Sequence, residues 1–174
     1  QLDKMFGWST PEMSRFYTYP VCSPSRAAFL TGVNPRRFGI VDALNPNQAG
    51  IPPNTQTLPA TLRAAGYRTS LIGKWHLGEQ NPPLSCGFEH FYGCMGPQID
   101  YFAHTGPRGT ADWQRDGKPL NEIGYSTDLL ADEAVRSQFA GAVNMVVQIA
   151  RMRDGVRRVT HITEIVGMEG EVIT

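Results

Sequence analysis

Two short runs hold the residues best suited to chemistry in this chain: Cys22-Ser23-Pro24-Ser25-Arg26, and Gly73-Lys74-Trp75-His76-Leu77-Gly78. Cys22 offers a thiol that can be modified, and Arg26 follows at the spacing of one helical turn, with a planar fork of donors that suits an oxyanion. Lys74 adds a compact cation. His76 adds an imidazole, whose ordinary pKa near 6.5 fits it to take or give a proton close to neutrality. A thiol, two cations and a proton carrier together suit the capture of a small anion with proton transfer beside it.

Local signals say how the chain would place these groups. Ser23 is predicted to cap a helix, with Pro24 in the first turn, where its missing N–H leaves nothing unpaired. The helix continues through Arg26–Leu30 and stops at Gly32, which accepts a left-handed terminal conformation. Cys22 then lies at a helix N-terminus, where free amides and the helix dipole favour negative charge. Further on, Thr57 caps a helix through Leu58–Ala65 that Gly66 ends. The run from Tyr67 to Ile72 reads as a strand, and Gly73 marks its carboxyl end. Lys74 and His76 follow directly, two apart, so an extended chain would project them to one side. Ligands of open α/β sheets gather beyond the carboxyl ends of strands, the position this reading assigns them.

Taken in this order, and with the flanks Pro20-Val21 and Ala27-Ala28-Phe29-Leu30-Thr31-Gly32, the two motifs resemble the signature motifs of the type I sulfatases. The resemblance covers about residues 1–139 and implies an α/β fold, an incomplete alkaline-phosphatase-like sulfatase domain. It implies that a formylglycine-generating enzyme oxidises Cys22 to formylglycine (3-oxoalanine), whose hydrate carries two geminal hydroxyls. One attacks a sulfate ester and expels the alcohol; loss of the proton from the other re-forms the aldehyde and releases sulfate. Lys74 is assigned to sulfate and formylglycine contact, His76 to holding and deprotonating the formylglycine hydroxyl, and Arg26 gathers the anion beside them. The converted Cys22 also counts as a metal ligand in such enzymes. Oxygen ligation of this kind suits Ca2+, and Mg2+ less well. The implied substrate is a small-molecule or glycan sulfate ester, and the implied location periplasmic or extracellular.

The pattern is incomplete. The aspartate pair and the later Asp-Asn or Asp-His pair of the family's metal site have no match, the first expected before Gln1 and the second beyond residue 139. Asp3, Asp42 and Asp100 do not sit in those motifs, and Val33 replaces a basic residue that often follows the Thr-Gly pair. The expectation is that this chain turns over a sulfate ester poorly.

With 174 residues the chain can hold one domain with an adequate core, and its 16 basic and 16 acidic residues cancel, giving no electrostatic case for nucleic acid or a membrane surface. No apolar run is long enough to span a bilayer, and the N-terminal residues do not show a basic-then-apolar leader pattern. Cys86 and Cys94 are close enough to pair across the intervening residues. An exported protein would allow that disulfide and a cytosolic one disfavours it, so spacing leaves both states open. The Gly-, Pro- and aromatic-rich stretch from Cys86 to His104 reads as loops. There Asp100, Tyr101 and His104 are either pocket-lining residues or loop-packing ones, while His90 and Arg36-Arg37 read as structural. Thr127 or Asp128 is predicted to cap a helix whose apolar stripe is Leu129, Leu130, Ala134 and Val135.

The character changes near residue 139: all 13 prolines, all three cysteines and all three tryptophans precede residue 120. The reading therefore divides the chain into 1–139 and a tail, 140–174. The tail is predicted to form a helix from Gly141 (Val143, Val146, Val147, Ala150), a strand over Val159–Val166, a turn at Gly167–Gly170 and a final strand, in all a helix plus β-hairpin. It resembles the carboxyl-terminal part of secretion and pilus motor ATPases of the tight-adherence type, which implies a fusion. The alternative function is then an assembly module of such a motor. The chain has no G-x-x-x-x-G-K-[ST] phosphate loop, which counts against it.

Overall fold

The computed structural model describes residues 17–142 except 46, and beyond them the strands within 145–173. Helix α1 spans Cys22–Thr31 and α2 Leu58–Ala64; strands β1 (Ser70–Lys74) and β2 (His90–Cys94) follow. Short strands β3 (Gln114–Arg115) and β4 (Lys118–Pro119) precede α3 (Ser126–Ala142). Single 3-10 turns lie at Pro35–Phe38 and Pro83–Cys86. The order in the sheet is β1-β2-β3-β4, with β1 and β2 parallel and the rest antiparallel. The fold is mixed α/β with a partial sheet and few helices, the class expected.

Pro24 lies in the first turn of helix α1, as predicted, but the helix starts earlier, at Cys22, and its cap differs from the prediction. Val21 is the N-cap, in extended conformation and without a side-chain bond, while Ser23 sits inside the first turn, fully buried. Its hydroxyl is engaged elsewhere in the fold, as described below. Gly32 ends the helix in the left-handed conformation at φ 67° and donates to the Ala28 carbonyl at 2.8 Å. Helix α2 is capped by Thr57, whose hydroxyl oxygen accepts from the Ala60 amide at 3.3 Å.

The stretch read as loops holds an interior strand. His90–Cys94 pairs in register with Ser70–Lys74, so Lys74 lies opposite Cys94 and Gly73 opposite Gly93. A Cβ on Gly93 would fall 2.1 Å from the Gly73 carbonyl oxygen, so this close crossing requires glycine. One core cluster gathers Ala27 and Leu30 of α1, Ile40 and Ile51, Trp75 and Leu77 after β1, Cys86 and Phe88, and Phe91 of β2. A second joins Tyr92, Cys94 and Trp113, with Leu129 and Leu130 of α3 packed on it. Cys86 and Cys94 thus belong to different clusters, and both are free thiols.

Helix α3 starts at Ser126, ahead of both predicted caps, with Asp128 in its first turn where the dipole favours an acid. Its stripe is also different. Val135 is exposed and Glu133 is buried, because Glu133 finds His90 and Arg115 across the interface. The helix continues past residue 139 to Ala142. The helix predicted from Gly141 does not form: Met145–Arg151 is strand β5, paired with β6 (Arg157–Glu164). Val146, Val147 and Ile149 are β-branched, which favours the extended chain over a helix. Met168–Glu169 (β7), expected in a turn, pairs with Val172–Ile173 (β8), and among the described residues neither two-stranded sheet joins the four-stranded one. Gly167 and Gly170 of that turn lie outside the described residues.

Candidate active site

Cys22 and His76, 54 positions apart, meet at 3.1 Å between Sγ and Nδ1. Helix α1 supplies the thiol from its first residue, and the turn after β1 supplies the imidazole. His76 does not continue the extended chain. Its φ is +49°, a left-handed conformation that costs energy for a residue with a Cβ and persists only where its surroundings enforce it. The surroundings here are dense. The His76 amide donates to the Met95 carbonyl at 2.9 Å, and that of Trp75 to the Cys94 carbonyl at 2.8 Å, extending the β1–β2 ladder past its last paired residues. Trp75 is buried between them, its indole N–H bonded to the Gly78 carbonyl at 2.9 Å and its ring edge-on to Phe88. Strand alternation therefore does not bring Lys74 and His76 together; the locked turn does.

The imidazole is held at both ends. Nε2 lies 2.9 Å from the Leu44 carbonyl oxygen, which can only accept, so in the neutral ring Nε2 carries the proton and Nδ1 turns its lone pair to the Cys22 thiol. Burial lowers the His76 pKa, the Leu44 carbonyl opposes this, and the Lys74 and Arg26 charges lower it further. Nδ1 is accordingly an acceptor at neutral pH.

Arg26 reaches back along α1, as its spacing predicts, but its guanidinium donates to the Lys74 carbonyl and so ties the helix to the end of β1. Burial lowers its pKa while the nearby Cys22 and Cys94 sulfurs raise it. Lys74 is half-buried and lies close enough to depress the His76 pKa. All four residues singled out from the sequence thus come from one corner, where the start of α1 meets the end of β1.

Ser23 was read only as a cap, yet it is central to this corner. Its hydroxyl donates to the His76 carbonyl at 2.9 Å, accepts from the Leu44 amide at 3.1 Å and lies 3.3 Å from His76 Nδ1. Nothing local in the sequence signals these contacts with residues 44 and 76. The loop candidates separate. Asp100 and Tyr101 line an open pocket with Gln98, Ile99 and Thr105–Pro107, whereas His104 is buried and stacked on Trp113 at 4.7 Å. Asp100 accepts from the Phe102 and Ala103 amides, and Asp112 from those of Met95 and Gly96, which fixes the loop beside the site.

A divalent cation needs several oxygen ligands, and this corner does not provide them. Among the described residues no three His, Cys, Asp or Glu side chains cluster as a metal site, and the polar neighbours of Cys22 are an imidazole and a guanidinium. Residue 22 alone does not fit a metal centre; Asp42 bonds the Ala43 amide, and Asp3 lies outside the described residues.

A family model described as Sulfatase matches residues 9–139. The chain belongs to the sulfatase family. It is 48% identical over 89 residues to human arylsulfatase H, covering 42% of this chain and 16% of that protein. It is 38% identical over 118 residues to human N-acetylgalactosamine-6-sulfatase, covering 60% of this chain and 23% of that protein. The solved structure of Ps i-CgsB superposes with a TM-score of 0.60 at 28% identity, covering 70% of this chain and 31% of that one. The chain thus spans less than a third of each of these relatives. Sulfatases generally use Ca2+ and a formylglycine, and no helix among the described residues of this chain is long and apolar enough to cross a membrane.

Proposed function

We propose that residues 1–139 are part of a sulfuric ester hydrolase that works through a formylglycine made from Cys22. The observation that carries this reading is the 3.1 Å contact between Cys22 Sγ and the lone-pair nitrogen of His76. Sγ marks where an oxygen of the converted residue would stand. Formylglycine would supply a hydroxyl that attacks sulfur and a second whose proton must leave to release sulfate. In this reading His76 Nδ1 takes that proton, and the Leu44 carbonyl on its other nitrogen supports the role. Lys74 and Arg26 supply positive charge for the sulfate oxygens, and the first turn of α1 adds backbone donors. The formylglycine made from Cys22 would supply one oxygen ligand of a Ca2+ centre, Mg2+ fitting less well; the described residues hold no cluster that would complete such a site. The substrate class is a small-molecule or glycan sulfate ester, and the setting periplasmic or extracellular.

Maturation would need a formylglycine-generating enzyme, which reads the local Cys22-x-Pro24-x-Arg26 pattern. Co-expression with such an enzyme should convert Cys22 to an aldehyde that reacts with hydrazide probes, and peptide mass spectrometry reads the outcome. Only unmodified cysteine under those conditions would overturn the reading. We read residues 140–174 as a tail from a secretion-ATPase-like segment joined to this domain. The family match ends at residue 139, and among the described residues the tail strands pair only with one another, which supports it. Sequencing reads that cross codon 139 in the source genome test the join, and an uninterrupted sulfatase frame beyond it would refute it.

A further inference from the structure

We infer that Cys22, in a chain that has not been converted, is a histidine-assisted thiol nucleophile that accepts small electrophiles carrying a leaving group. The inference concerns the folded, unconverted protein and goes beyond sulfate ester hydrolysis. Three features of the corner carry it. The thiol and imidazole are in hydrogen-bond contact at 3.1 Å, and the Leu44 carbonyl at 2.9 Å from Nε2 leaves Nδ1 as the acceptor. Ser23 does not take that acceptor away. A hydroxyl has one proton, and the His76 carbonyl at 2.9 Å is a closer acceptor for it than Nδ1 at 3.3 Å. Cys22 is also the first residue of a ten-residue helix, where amides and dipole favour the negative charge left on sulfur as its proton moves to His76.

Access completes the argument. Cys22 is only partly buried, whereas Cys86 and Cys94 are buried free thiols. Burial pushes both of those thiols up to about 11, so they make built-in controls. In the step itself, a sulfur lone pair forms the S–C bond while the leaving group departs with the electrons of its bond to carbon. The thiol proton passes to His76 Nδ1. The adduct occupies the place of the formylglycine oxygens beside Arg26, so a chain that folds before conversion can be capped permanently by such electrophiles.

The test uses the full chain expressed without a formylglycine-generating enzyme, treated with iodoacetamide at one fixed neutral pH. Peptide mass spectrometry follows alkylation at each cysteine, in buffer and in urea. Cys22 should react in the folded chain faster than in the unfolded chain by tenfold or more, modest against the roughly 10²–10⁴-fold range of general-base assistance. Cys86 and Cys94 should react only in urea. His76→Gln, which cannot take the proton, should reduce Cys22 to its unfolded rate or below while Cys86 and Cys94 stay protected. A folded rate no higher than the unfolded rate overturns the proposal, as does a wild-type rate in His76→Gln. If His76→Gln exposes Cys86 and Cys94, it has unfolded, and the ratio measured on the unsubstituted chain decides alone. Failed conversion to formylglycine would leave these rates unchanged, and slow alkylation would leave conversion and sulfate chemistry standing.

Discussion

At the scale of single residues, the two serines of the Cys22–Arg26 motif separate a structural role from mere tolerance. Ser23 is fully buried and joins α1 to both the Leu44 loop and the His76 turn. Ser25 bonds the Tyr19 carbonyl at an exposed site. Ser23→Ala leaves the part-buried Leu44 N–H without its acceptor and should cost about 1–2 kcal/mol, the lower part of the usual penalty for such a group. Ser25→Ala should cost less than about 0.5 kcal/mol, as surface changes commonly do. Urea unfolding of both variants checks the contrast, and equal losses would mean that the Ser23 contacts add nothing. The residue types at positions 22, 26, 74 and 76 were legible in the sequence because their motif spacing is local. Ser23's partners were not, since residues 44 and 76 reach it only after the chain folds back.

At the scale of elements, α3 is fastened to the sheet by charge. His90 of β2 sits between Asp116 at 3.0 Å and buried Glu133 of α3 at 2.7 Å, and Arg115 of β3 reaches the same Glu133 at 2.9 Å. Arg115 also lies over the Tyr92 ring, 4.8 Å from its centre. The hydrogen bond to Glu133 raises the His90 pKa, burial opposes it, and the Asp116 and Glu133 charges raise it further. Burial pushes Glu133 up, but the His90 bond and the Arg115, His90 and Arg136 charges outweigh this and lower its pKa. The signs define a window. A raised His90 stabilises fully below its ordinary 6.5, and that stability is lost as pH rises through the folded value. A lowered Glu133 stabilises fully above its ordinary 4.5, and that is lost as pH falls through the folded value. The clasp should therefore be strongest between about pH 4.5 and 6.5. Thermal unfolding from pH 4 to 9 checks this: the chain should lose stability on the alkaline side and His90→Gln should flatten that loss, whereas parallel curves would exclude the clasp. His90 had read as merely structural. Its partners lie 26 and 43 positions away, and the strand carrying it has the aromatics and glycine of a loop, so neither strand nor clasp was visible locally.

At the scale of the whole molecule, the question is whether this corner works by itself. The caps at Thr57 and Gly32, a strand just ahead of His76 (read over residues 67–72, observed at Ser70–Lys74) and the α/β class were legible because each rests on signals a few residues long. In the tail the first segment departs, Met145–Arg151 forming a strand where a helix is predicted, because its apolar residues fit a helical period as well as a strand's and β-branching decides the outcome. The metal site is different in kind. A sulfate ester brings negative charge that Lys74, Arg26 and the α1 amides can attract, yet attraction in the ground state does not accelerate the reaction. Charge that develops on the departing oxygen must be met as well, and the described residues hold no cluster of carboxylates to fix a cation there. The chain spans about a quarter or less of the curated sulfatases compared above. Even with Cys22 fully converted, it should therefore hydrolyse a generic aryl sulfate barely above the uncatalysed rate. Added Ca2+ should change that rate by less than about twofold, since one oxygen ligand does not hold the ion. Release of the aryl alcohol, followed by absorbance with and without a chelator, makes the measurement. Calcium-dependent turnover that disappears in Cys22→Ala would prove this wrong and would place a working set of metal ligands within these 174 residues.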